Sequence, residues 1–318
     1  MLTVDRMRSL VRQATLSPSS HNTQPWRFRM TGAAVDLMAD RTRALPVNDP
    51  FDRELTISCG AALLSLRVAA AAAGLGTVEH LLPDESDADW LARLELTAQA
   101  SDPELAALAD FLSLRRTFRR VFDGRDVAQE VIALVGAAAA REGARLVTLN
   151  AGQRQQAGEL VAEGDRQQWD DPRWRRELAM WMHPRRDGDG LAVPLLAAPL
   201  AQAVVRTFDM GNGVAAKDRQ LLMGSPWLTI LATPQDDTLS WLRAGQALQR
   251  ALLVGCRHGL QASYLNQPAE LPALRARLQL LLGTAEHPQL VIRWGHPTEV
   301  LPPAPRRPVD AVIEPASD

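Results

Sequence analysis

Ser17-Pro18-Ser19-Ser20-His21-Asn22-Thr23-Gln24-Pro25-Trp26 is the stretch whose reading decides the fold. Before it, Val4, Met7, Leu10, Val11 and Ala14 recur at helical spacing, which predicts a helix over about 3–15. After it, residues 27–30 and 35–39 read as two short strands around Thr31-Gly32. The stretch is therefore a loop. Pro18 and Pro25 stiffen its ends. Between them stand hydroxyls, amides and an imidazole, donors and acceptors suited to the edge of a flat polar heterocycle. A turn that satisfies only its own backbone is the other reading of the same residues.

The rest of the chain sets the context. At 318 residues it is one large domain or two ordinary ones, and with 46% apolar residues it can bury a sizeable core. A net charge of −2 and a pI near 6.3 give no electrostatic reason to expect nucleic acid. Lys217 is the only lysine, so any anion site must be built from arginine, helix ends or backbone N–H groups. Cys59 and Cys256 fall in apolar helical patterns and read as small buried hydrophobes, with no metal cluster or disulfide framework. Met1-Leu2-Thr3-Val4-Asp5-Arg6 carries no signal-peptide core. The best bilayer candidate, residues 66–75, is short and interrupted by Arg67. A soluble cytoplasmic protein is the expectation.

Asp40, Arg41, Arg43, Asp49, Asp52 and Arg53 interleave in an irregular stretch that suggests a solvated salt-bridge network. Residues 54–73 are apolar nearly all round and end at Gly74, which predicts a buried helix with a glycine cap. Strands follow at 77–82 and 90–96. Ser101-Asp102-Pro103-Glu104 reads as a capping box opening a helix to about Leu114. Arg115-Arg116-Thr117-Phe118-Arg119-Arg120-Val121-Phe122 comes next, and Asp126 is expected to cap a second amphipathic helix. A strand at 144–149 precedes residues 151–211, which read as an insertion or lid. Trp169, Trp174, Trp181 and Met182 lie there beside His183-Pro184-Arg185-Arg186-Asp187-Gly188-Asp189-Gly190. A strand at 227–233, a long helix at 239–258 ending at Gly259, a helix at 271–282 and a strand at 289–294 complete the order.

The two long helices match without a gap. Gly60-Ala61-Ala62-Leu63 aligns with Gly245-Gln246-Ala247-Leu248, and the same frame sets Gly74-Leu75 on Gly259-Leu260. The order of elements repeats too, so the chain reads as two related halves, 1–110 and 111–318. Only the first half has the polar loop after its short helix. Only the second has the arginine-rich entry before its own.

Pro18-Ser19-Ser20-X-Asn22-X-Gln24-Pro25-Trp26 resembles the ring-binding loop of the FMN-dependent nitroreductase family. Arg115-Arg116-Thr117-X-Arg119, with Arg306-Arg307 before Pro308, resembles that family's FMN phosphate clamp. Asp40-Arg41, Ser58-Cys59-Gly60-Ala61-Ala62-Leu63 and Leu265-Asn266-Gln267-Pro268 are similar to the tandem, Acg-like branch. The resemblance implies an α+β fold, duplicated within one chain. Its two mixed or antiparallel sheets are flanked by helices in a pseudo-dimer, a monomer or a homodimer of such chains. It implies FMN held by Pro18, Ser19, Ser20, His21, Asn22, Gln24, Arg115, Arg116, Thr117, Arg119, Asn266, Gln267, Arg306 and Arg307. Asn266-Gln267 stands where the family often has an acid-Gly pair near flavin N5, and Lys217 falls near the pyrimidine edge or on the surface. The implied activity is hydride transfer from NAD(P)H through FMN to an unnamed small acceptor, at one site between the halves. The alternative is a flavin-sequestering protein whose tryptophan-rich insertion closes the stacking face.

Overall fold

The computed structural model describes residues 3–183, 188–192 and 197–314. Pro184, Arg185, Arg186 and Asp187 of the soft loop lie outside the described residues. The first half runs α1 (Val4–Ala14), β1 (Trp26–Thr31), β2 (Ala34–Ala39), α2 (Arg53–Ala72), β3 (Gly76–Leu81), β4 (Trp90–Thr97), α3 (Pro103–Ala106) and α4 (Ala109–Leu114). The second begins with α5 (Gln129–Ala140) and β5 (Arg145–Thr148). An insertion follows: α6 (Ala151–Asp170), α7 (Pro172–Trp181), β6 (Met182–His183), β7 (Leu191–Ala192), α8 (Ala198–Thr207) and α9 (Gly211–Met223). The half closes with β8 (Trp227–Thr233), α10 (Thr238–Arg257), β9 (Gln261–Tyr264), α11 (Gln267–Glu270), α12 (Pro272–Leu282) and β10 (His287–Gly295).

The strands form two antiparallel four-stranded sheets, ordered β1-β2-β4-β3 and β5-β8-β10-β9. The orders correspond strand for strand, so the α+β fold is duplicated. The repeat frame also survives at atomic detail. Gly74 and Gly259 both take left-handed φ, +75° and +77°. Each ends its helix with the same pair of bonds: Gly74 N to Ala71 O and Leu75 N to Ala70 O, Gly259 N to Cys256 O and Leu260 N to Gly255 O.

Helices α2 and α10 cross where Gly60 meets Gly245. A Cβ on Gly60 would lie 2.1 Å from Leu242 O, and one on Gly245 would lie 2.0 Å from Ile57 O. The offset that carries Gly60 onto Gly245 carries Ile57 onto Leu242, so the contact is its own mirror. Backbone-to-backbone approach of this kind needs glycine on both sides. The polar residues Arg53 and Glu54 at the start of α2 are buried along with its apolar ones. By length and composition α2 could cross a membrane, contrary to the expectation that no segment would, but 89% of its most apolar window is buried inside the protein.

The end of the second half crosses to the first: Phe28 N bonds Val312 O and Glu314 N bonds Phe28 O along β1, while within the second half Phe118 N bonds Ala262 O on the β9 edge. Stacked Phe118 and Phe122, centroids 5.4 Å apart, anchor the arginine-rich segment in the core.

Several boundaries differ from expectation. The helix after Pro103 breaks into α3 and α4, so position 110 falls inside α4. Its cap is Asp102, which accepts from Glu104 N and Leu105 N, in place of a box from Ser101. Asp126 does not cap α5, which starts at Gln129 with no side-chain cap, because the chain stays extended through Ala128. The insertion between β5 and β8 covers 149–226, longer than 151–211. Of the salt-bridge stretch, Arg41 pairs with Asp52 and Asp89 near solvent, but Asp40, Asp49 and Arg53 turn inward and are buried.

Candidate active site

The polar loop holds strained backbone. His21, Asn22 and Gln24 take φ of +47°, +55° and +51° without being glycine. Such conformations cost roughly 1–3 kcal/mol each and persist only where the surroundings fix them. Here the surroundings do. Asn22 N and Thr23 N bond Ser19 O and Ser20 O, Gln24 N bonds Ser19 Oγ, and Ser17 Oγ bonds Ala61 O and Ser65 on α2. Gly190 N, from the insertion, donates to Asn22 O.

A cavity of about 790 Å³ opens beside this loop, lined from both halves and from the insertion. Pro18, Ser19, Ser20, His21, Asn22, Arg115, Arg116, Thr117, Arg119, Asn266, Gln267 and Arg306 all reach its wall. Gln24 and Arg307 do not, and the expectation that they contact a ligand there is corrected. Gln24 is fully buried behind the wall, donating to Gly188 O and accepting from Arg307 N. Arg307 donates to Gln24 O and Ala311 O and faces Asp40. Lys217 is exposed on α9, away from the cavity.

One end of the cavity is cationic. Arg115 is 5% exposed; its Nη2 donates to Leu16 O at 3.1 Å, while Nε and Nη1 have no partner. Burial pushes its pKa down, with Tyr264 opposing. The Tyr264 hydroxyl is buried and unpartnered as well, and burial raises it to about 12. Arg119 lines the cavity where solvent reaches it. The protein around it still pushes its guanidinium down, and Tyr264 and Asp218 push back. Arg116 is more committed, donating to Leu301 O, Ser113 O and Arg115 O. Arg306 braces the loop through Thr15 O, Leu16 O, Ser17 O and Asn22 Oδ1. Burial first, then the Arg119 charge, lowers His21 to about 4, so its imidazole is neutral at neutral pH.

The other end is acidic. The sequence reading passed over it. Glu54 accepts from Ser20 Oγ and from Asn266 Nδ2 at 3.0 Å, so two loop residues expected at the ligand meet on one carboxylate. Gln267 Nε2 donates to Asp165 Oδ1 at 3.0 Å and to Asp218 Oδ2 at 2.9 Å, tying α6 and α9 to the site. Asp165 Oδ2 and Gln267 Oε1 are buried without partners. Burial, then Asp218, raises Asp165 to about 7. A raised carboxyl contributes stability at low pH that is lost as pH climbs through the folded value. Asp165→Asn is neutral at every pH. Between pH 5 and pH 8 its urea midpoint is expected to fall less than the parent's, and an equal fall in both would refute the assignment. Glu270, Gln168 and Trp174 complete this end. Glu54 at a helix start and a lone Tyr264 offered no pattern by which sequence could single them out.

The pseudo-symmetric position is filled. The repeat frame carries Tyr264 onto Glu79, and there Arg67 bonds Glu142 and Gln246 while Arg250 bonds Glu142. Glu79 itself faces Arg67 at 3.5 Å.

No family model matches the chain. Two Mycobacterium tuberculosis proteins that carry the name "Putative NAD(P)H nitroreductase" match it along nearly its whole length. Rv3131 is 33% identical over 98% of this chain and 91% of its own, and acg is 30% identical over 98% and 96%. Among solved structures, the FMN and NADPH-dependent nitroreductase NfnB from sphigopyxis sp. strain HMH is 19% identical. It covers 66% of this chain and 99% of its own at a TM-score of 0.45. NfnB of Mycobacterium smegmatis, in complex with NADPH, is 17% identical over 67% and 96% at a TM-score of 0.42. The chain therefore belongs to the nitroreductase family, in the branch of the tandem, Acg-like proteins.

Proposed function

We propose that the cavity holds one FMN and that the protein is an FMN-dependent oxidoreductase, passing hydride from NAD(P)H to a small acceptor in the cytoplasm. The observation that carries this is the unpartnered buried pair at the cationic end: Arg115 Nε and Nη1, with the Tyr264 hydroxyl. Buried donors without acceptors are costly and mark a place where a ligand supplies them. A phosphate monoester fits that donor set, with Arg119 and Thr117 beside it. The volume lies within the usual range of about 300–1,000 Å³ for cofactor pockets.

In this reading residues 111–318 contribute the phosphate end. Residues 1–110 contribute the ring end, through Ser19, Ser20 and Asn22, with Asn266 and Gln267 opposite. The flavin, when bound, supplies the hydride chemistry. The chain's own work is to bind, orient and shield. Arg115 and Arg119 neutralise the phosphate. The strained loop presents hydroxyl and amide groups at fixed positions without rearranging on binding. Neutral His21 adds no charge beside the ring.

The curated relatives' names include NAD(P)H, which supports the nicotinamide nucleotide as donor. A second reading has its own support: Trp174, Gly190 and Leu191 of the insertion line the same cavity and could cover the stacking face. Purified protein distinguishes the two. We expect a yellow chromophore at one FMN per chain that NADPH or NADH bleaches anaerobically. A chromophore that only dithionite reduces would favour sequestration. A colourless protein that ignores added FMN would overturn both.

A further inference from the structure

We infer that Arg293 positions Arg119 for the flavin phosphate by gripping the backbone on both sides of it. The inference rests on the FMN reading above and adds to it a residue that belongs to none of the sequence motifs and does not itself line the cavity.

Arg293 stands in β10 and is 1% exposed. Its Nη2 donates to Phe118 O at 2.9 Å and to Arg120 O at 3.0 Å, and its Nη1 donates to Arg120 O at 3.0 Å. Arg119 is the residue between those two carbonyls. Phe118 N is held as well, by Ala262 O on β9 at 2.8 Å. The chain on either side of Arg119 is therefore fixed, and with it the point from which the side chain leaves. The Phe122 ring covers the Arg293 guanidinium at 4.8 Å, and a Cβ on Gly295 would come within 2.5 Å of Phe122 Cγ, so the ring is seated against β10.

As a device for stability alone this grip makes little sense. Among the described residues Arg293 makes no ion pair, its Nε has no hydrogen-bond partner, and its bonds all go to neutral carbonyls. Burial lowers its pKa to about 10, with the Asp218 charge opposing, so it remains charged at neutral pH. A buried charge of that kind costs desolvation that no counter-charge repays. What it does well is hold two acceptors in fixed directions, because its planar fork is rigid.

The residue so held is idle in this structure. Arg119 lines the cavity and, among the described residues, makes no hydrogen bond or ion pair. Asp218 on α9 attracts it from a distance, but Asp218 Oδ2 already accepts from Gln267 Nε2. An arginine side chain is rich in rotamers, and ordering one on a ligand is costly. Holding its root lowers that cost and keeps the guanidinium at the cationic end, where Arg115 has its open donors.

The test compares FMN with riboflavin, which has the ring and no phosphate, on the full-length flavin-free protein. Arg293→Met is expected to lower FMN affinity about tenfold and to leave riboflavin affinity unchanged. A loosened core would weaken both flavins together; that result, or an unchanged FMN affinity, would overturn the inference. Arg119→Ala should lower FMN affinity at least as much. Adding Arg293→Met to it should then cost nothing further, because the group being positioned is gone. Two losses that simply add would also overturn the inference. Arg293→Lys keeps the charge and reaches one carbonyl only. It is expected to recover part of the preference for FMN, and it carries the same comparison if the methionine variant does not fold. A parent protein that binds neither flavin would instead overturn the FMN reading, and is seen separately as a protein that stays colourless.

Discussion

Gly245→Ala is expected to destabilise the protein by about 3 kcal/mol or more, at the upper end of what overpacking costs. The added Cβ would sit 2.0 Å from Ile57 O and 2.8 Å from Ala61 N. Both are backbone atoms of a buried helix, so no rotamer change relieves the clash. Helices α2 and α10 must move apart, and Leu63, Leu64, Leu248 and Leu252, all buried around that crossing, lose contact with them. Gly60→Ala makes the reciprocal clash, 2.1 Å from Leu242 O, and is expected to cost a similar amount. The double variant should cost less than the sum, because the first substitution already opens the gap that the second needs. Gly136→Ala on α5 is the control. Nothing lies within 4 Å of its added Cβ, and a helical glycine replaced by alanine where the methyl has room gains about 0.5–1 kcal/mol. Urea unfolding of the four variants beside the parent checks the set. A Gly245→Ala midpoint equal to the parent's would show that the crossing is looser than a mirror contact requires. Since Glu54 and Ile57 on α2 and Leu248 on α10 all line the cavity, the same variants should also weaken flavin binding.

The repeat was legible in the sequence, because the glycines and helix ends of both halves share one ungapped frame; that Gly60 and Gly245 meet each other was not, since alignment says nothing of contact. The polar loop was legible for a related reason: its residue types are unusual together, and its strain is invisible but its hydrogen-bonding capacity is not. The arginine run was legible as a unit and misleading in detail. Sequence ranks its members equally, whereas the fold spends Arg306 and much of Arg116 on backbone carbonyls and leaves Arg115 with open donors. Gln24 and Arg307 belong to the same motifs and yet serve each other behind the wall. Motif membership does not say which way a side chain turns. The acidic end was illegible because its members come from α2, α6, α9 and α11, and nothing in the order of residues brings Glu54, Asp165, Asp218 and Glu270 to one place. Asp126 was misread because a capping residue is recognised only once the helix start is known, and here the chain stays extended for two residues more.

Arg115→Met is expected to weaken FMN binding by at least about 100-fold, roughly 3 kcal/mol, the loss of a charged hydrogen-bonding partner from a buried site. Its effect on the protein without flavin should have the opposite sign. In that state Arg115 is a buried charge whose Nε and Nη1 have no acceptor and whose remaining bond, Nη2 to Leu16 O, is one neutral carbonyl. A methionine of similar length fills the space with no charge to desolvate, and replacing an uncompensated buried ion by an apolar side chain is often stabilising. Leu16 O gives back about 1 kcal/mol of that by losing its donor, although Arg306 Nη2 still reaches it at 3.1 Å. The melting temperature of flavin-free Arg115→Met should therefore lie above the parent's, while the stabilisation that FMN confers should all but vanish. Inorganic phosphate alone should raise the parent's melting temperature and leave the variant's unchanged. Arg115→Lys separates charge from geometry: its single ammonium cannot serve Leu16 O and a phosphate in two directions at once, so it should recover part of the affinity and little of the stability. Were Arg115→Met less stable than the parent and still bound FMN as tightly, the open donors would be a structural feature of the core, and the phosphate would have to sit elsewhere in the cavity.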